Sequence, residues 1–97
     1  MTLELLTIDQ FSDKVGQTFT VEGIEPLVEL TLTECSPLKN YANAARAPFS
    51  LIFTTQGIGV MPQKMYELRH AALGLKPLFL VPITKKDDVV SYQAIFN

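Results

Sequence analysis

The sequence predicts an all-β fold: a small antiparallel β-barrel or roll of about six strands, with one short N-terminal helix across an opening. Two observations carry this reading. Apolar and polar residues alternate over most of the chain, the period of a strand with one buried face. Breaks rich in Gly, Pro and Asp interrupt the alternation at short intervals, and the clearest helical spacing lies near the N-terminus.

The chain has 97 residues and reads as one domain over 1–97, able to bury roughly 60–65% of its unfolded surface without a metal or disulfide scaffold. Apolar residues make up 47% and charged residues 19%, which excludes a disordered chain. Eight basic residues are scattered against ten acidic ones, for a net charge of −2. That is no footprint for phosphate, so nucleic acid is not an expected partner. Cys35 is the single cysteine and reads as a half-buried small hydrophobe in a reduced compartment. The start of the chain lacks the basic and apolar regions of a signal peptide, and the longest apolar run, Leu78 to Ile83, falls short of the ~18 residues that cross a bilayer. Synthesis in the cytoplasm without membrane insertion is expected, with later incorporation into an exported assembly left open.

Each element has a local reason. Thr7 and Gln10 have the spacing of a capping box, Ile8, Phe11 and Val15 share one helical face, and Gly16 suits the left-handed position after a helix. A helix over about 7–15 follows. Phe19 and Val21 then alternate with Thr18, Thr20 and Glu22 up to Gly23. Beyond Pro26, Val28, Leu30 and Leu32 alternate with Glu29, Thr31 and Thr33, so the two strands form a hairpin. Residues 36–45 lack strand periodicity and read as a loop, where Leu38 and Tyr41 either contact a partner or fold back over the barrel end. Phe49, Leu51 and Phe53 form the inner row of the next strand, and Tyr66, Leu68 and His70 that of the one after. Leu78 to Val81 is apolar on both faces, the mark of a strand covered on both sides, here by the barrel interior and the helix. A polar turn at 85–88 leads to the last strand, with Val90, Tyr92, Ala94 and Phe96 inward and Val89 and Ile95 outward.

No nucleophile with a base, metal-ligand spacing or phosphate loop stands out, so no catalytic residue, cofactor or metal is expected. His70 is the only histidine and reads as a hydrogen-bonded structural residue. A Cys35–His70 pair stays open. Arg46, Gln63, Tyr66 and His70 are candidates for one structural polar cluster near a barrel end.

Arg46-x-Pro48-Phe49-Ser50-Leu51-x-Phe53, Gln63-x-x-Tyr66, His70-x-x-x-Gly74, the run Leu78 to Ile83, and Tyr92-x-Ala94-x-Phe96-Asn97 together resemble a family of small bacterial proteins known as a domain of unknown function. Members tend to be encoded beside phage tail-collar-like, or microcystin-dependent, proteins. The resemblance implies association with a tail-derived or fibre-like assembly and implies no activity.

Two functional classes follow. One is a non-enzymatic structural or adaptor protein whose partners are other proteins, tail-collar-like proteins or further copies of itself, with Leu38, Tyr41, Val89 and Ile95 as expected contacts. The other is a small barrel that holds an apolar ligand. Large inward residues such as Phe49, Phe53 and Phe96 weigh against the second, because a six-stranded barrel is narrow. One helix of about nine residues, ~13 Å long, cannot shield both Leu78–Ile83 and the last strand. The last strand is therefore expected at a sheet edge, with Val89 and Ile95 exposed.

Overall fold

The computed structural model describes residues 6–25, 27–39, 47–57 and 59–96. Six strands follow two short helical turns: β1 (Thr18–Val21), β2 (Val28–Pro37), β3 (Phe49–Gln56), β4 (Lys64–His70), β5 (Gly74–Lys86) and β6 (Val89–Phe96). They form a closed antiparallel barrel in the order β1-β2-β3-β6-β5-β4, with β4 paired back onto β1. Placing β4 beside β1 after three hairpin-linked strands is a Greek key, and it sends the β3–β4 connection across one barrel end.

The alternation read in the sequence sets the interior. Phe19, Val21, Leu30, Leu32, Phe49, Leu51, Phe53, Leu68, Leu78, Leu80, Tyr92 and Ala94 are all buried in one core. Polar neighbours face out. Gly23 and Gly74 have φ of +80° and +75°, so each turn needs the left-handed backbone that glycine adopts at least cost.

The N-terminal helical segment lies where the sequence places it but is wound more tightly, as 3₁₀ turns at Ile8–Gln10 and Ser12–Lys14. The Thr7 N–H donates to Gln10 Oε1 at 2.8 Å, the Gln10 half of the capping box. At three residues per turn Ile8 and Phe11 stack on one side and Val15 rotates off it. Phe11 is accordingly fully buried, Ile8 packs against the core, and Val15 is exposed. Phe11 plugs the barrel end formed by the start of β3 and the end of β6, with ring centroids 6.4, 6.0 and 6.2 Å from Phe19, Phe49 and Phe96.

Two expectations need correction. The turns close a barrel end and do not cover the outer face of β5, so Phe79 is 45% exposed. The last strand is not at an edge: β6 pairs with β3 along its whole length and with β5. Closure of the barrel supplies the neighbour that an open sheet would lack.

Because Phe11 joins the aromatic cluster to the N-terminal helical turns, Phe11→Ala should cost about 3–5 kcal/mol. Thermal or urea unfolding followed by circular dichroism reads this directly. A loss below ~1 kcal/mol would mean that the segment does not seal the barrel.

Candidate functional site

Of the expected polar cluster, Arg46 lies outside the described residues, as does Tyr41 of the expected contacts. The structure does not assemble the other three. Gln63 is exposed, whereas Tyr66 and His70 both point inward but four residues apart on β4, roughly 13 Å at the strand rise. Tyr66 serves one barrel end and His70 the other. The Tyr66 hydroxyl donates to the Pro62 carbonyl at 2.5 Å, and the Met61 N–H donates to the Tyr92 hydroxyl at 2.8 Å. Two tyrosines thus hold the β3–β4 connection against the barrel. The sequence reading missed Tyr92 in this role, although a buried phenol must find a partner for its hydroxyl.

The outer surface has two different faces. On β4–β5–β6, Met65 pairs with Phe79, Val81 with Gln93, and Ile95 lies two residues beyond Gln93 on the same face. Met65, Phe79 and Ile95 are 56%, 45% and 53% exposed. The outer positions 77, 79 and 81 of β5 and 91, 93 and 95 of β6 are Pro, Phe, Val, Ser, Gln and Ile, with no charge among them.

The second face is a solvent-open groove of about 1060 Å³ over β1, β2 and β3. Its floor includes Thr18, Thr31 and Thr54, which lie opposite one another across the three strands. Ile24, Glu25 and Leu27 form one wall, and Val60, Met61 and Pro62 the other. The expected contact residues divide between these surfaces. Ile95 belongs to the apolar stripe, and Val89, six residues and roughly 20 Å back along β6, lines the groove. Leu38, 40% exposed, stands at the end of β2, where its N–H donates to the Pro48 carbonyl at 2.9 Å.

His70 is engaged on both ring nitrogens. Its Nδ1 accepts from the Ala72 and Leu73 N–H groups at 3.0 and 3.2 Å, which fixes the proton on Nε2, and Nε2–H donates to Gln17 Oε1 at 2.6 Å. The ring also packs on Phe19, with centroids 4.7 Å apart. Burial first, then the Lys14 ammonium, push its pKa below the ordinary value, with Asp13 opposing. Cys35, in half-buried contact with the core, has its thiol pushed up by burial, which disfavours the nucleophilic thiolate. The Cys35–His70 pair left open by the sequence thus has a histidine already bound elsewhere and an unactivated thiol. Among the described residues no group of three or more His, Cys, Asp or Glu could hold a metal ion, and no helix is long and apolar enough to cross a membrane.

Since the folded state holds His70 neutral, the unfolded chain binds more protons between the depressed folded pKa and about 6.5, the unfolded value. Stability is then full above about pH 6.5 and declines as the pH falls through the window below it. His70→Asn keeps an acceptor near the Nδ1 position and should flatten that part of a melting-temperature profile. Equal pH slopes in the two proteins would sink the assignment, since the sequence has no second histidine.

No curated protein and no solved structure matches the chain. A protein-family model described as a domain of unknown function (DUF6916) matches residues 6–96, a span that takes in all six strands and both helical turns. The chain belongs to that family.

Proposed function

We propose that this protein is a non-enzymatic adaptor that acts by protein–protein contact within a phage-tail-like or fibre-like assembly. The observation that carries the contact part is the stripe of Met65, Phe79, Val81 and Ile95. Three large apolar side chains about half exposed on neighbouring strands are more than the scattered singles of an ordinary surface, and such patches mark interaction sites. The tail-like setting rests on the family resemblance, whose members tend to be encoded beside tail-collar-like proteins. The alternative, a barrel that holds an apolar ligand, loses support because Phe19, Phe53, Leu30, Leu68, Leu80 and Tyr92 fill the interior.

Affinity purification from the source organism with the wild type and with Phe79→Lys and Ile95→Lys tests the reading. Both residues are exposed, so the variants should keep the wild-type circular dichroism spectrum. Capture of a tail-collar-like protein should fall about tenfold or more, the scale of losing one aromatic anchor. Capture that survives both substitutions, or wild-type protein that retains no tail protein, would overturn it.

A further inference from the structure

The groove over β1–β3 reaches β6 at Val89 and Tyr92 but includes none of the stripe residues Met65, Phe79, Val81 and Ile95. Its lips are apolar: Leu27 and Val60 are 63% and 46% exposed, and both face the groove with half-buried Ile24 and Met61 between them and the barrel. The charged residues in its lining are Glu25 and Glu29. Neither carboxylate has an ion-pair partner among the described residues, whose ion pairs are Lys14–Asp13 and Arg69–Glu22. The floor hydroxyls of Thr18, Thr31 and Thr54 likewise have no hydrogen-bond partner among the described residues, so they are available to a bound main chain.

We propose that this groove receives an extended segment of a partner protein that carries apolar side chains together with Lys or Arg. The apolar side chains would seat between Leu27 and Val60, the cations beside Glu25 and Glu29, and the main chain over the threonine floor. Shape favours a peptide over a small molecule. The volume, about 1060 Å³, lies just above the roughly 300–1,000 Å³ range of small-ligand pockets, and an open trough cannot bury most of a compact ligand. Charge favours a cationic occupant, since an acidic segment or a nucleic acid would meet two unpaired carboxylates. The inference rests on the reading of the protein as one that works by contact, but it uses a different surface.

A displayed library of random dodecapeptides, selected against the whole protein, tests it without knowledge of the natural partner. Enriched peptides should combine Leu, Val, Ile or Phe with Lys or Arg. A synthetic copy should shift the amide resonances of Leu27, Glu29 and Val60 in a nuclear magnetic resonance titration. Glu25→Lys with Glu29→Lys, both at exposed positions, should weaken that peptide about tenfold or more and reduce the salt dependence of binding. Phe79→Lys should bind it as the wild type does. Enrichment of acidic or uncharged peptides, shifts confined to Met65, Phe79 and Ile95, unchanged affinity in the double variant, or no enrichment over an unselected control would each overturn the proposal. A failed selection leaves the stripe experiment to succeed or fail by itself.

Discussion

The barrel depends on the seam between β1 and β4. It is the shortest strand pairing among the described residues, with bridges at Thr20↔Arg69 and Val21↔Leu68, continued by the Glu22 N–H to the Glu67 carbonyl at 2.9 Å. Two bridges make a weak ladder, so side chains must hold the rest. On the outside Arg69 pairs with Glu22, but the arginine is largely exposed, and such pairs contribute about 1 kcal/mol or less. On the inside Phe19 packs on His70 and Gln17 accepts from its ring. The buried contacts therefore outweigh the ion pair. His70 is best understood as the clasp of the barrel: it ties the residues before β1 to the turn after β4.

The two barrel ends are sealed by different means, and the difference fixes which surfaces stay free. One end is filled by a side chain, Phe11, delivered by a compact pair of 3₁₀ turns. The other is crossed by the β3–β4 connection, held down by the Tyr66 and Tyr92 hydroxyls. Since both sealing segments are committed to ends, neither lies over the outer face of β5. That leaves Phe79 uncovered, while the crossing connection and the β1–β2 hairpin rise above the sheet and form the groove walls.

Local periodicity made most of the fold legible. Tyr66, Leu68 and His70, or Val90, Tyr92 and Ala94, alternate so regularly that their burial follows from a period of two. What failed was non-local or degenerate. An Ile8 to Phe11 spacing fits helices of three or of 3.6 residues per turn, and only the exposure of Val15 separates them. The both-faced run at 78–81 announces an apolar outer face without saying whether this chain or another covers it. Strict alternation beyond Leu32 would bury Glu34, yet a bulge between Leu32 and Glu34 turns that side chain out and brings Cys35 against the core. Nothing near Arg69 or Thr20 reports that they pair, because barrel closure joins segments almost fifty residues apart. For the same reason the sequence puts Tyr66 and His70, alike in facing inward, in one cluster, although the strand carries them to opposite ends. The stripe is legible through Ile95 and the outer side of the 78–81 run, and the groove only through Val89.

Closure also constrains how such a protein can recognise others. An open sheet offers backbone N–H and C=O groups at its edges, and partners commonly add a strand there. In this barrel every described strand has a neighbour on both sides for at least part of its length, so a partner strand pairing along a whole edge would have to open the β1–β4 seam and expose the buried Phe19 and His70. Recognition by side chains on intact outer faces avoids that cost. The faces differ in kind, one an uncharged apolar stripe, the other a trough with threonine hydroxyls and two carboxylates. They share no residue, although both reach β6, so two partners could be held without competing for one site. A closed barrel with two unlike outer faces would suit the adaptor role proposed above, because docking on either face would leave the strand pairings intact.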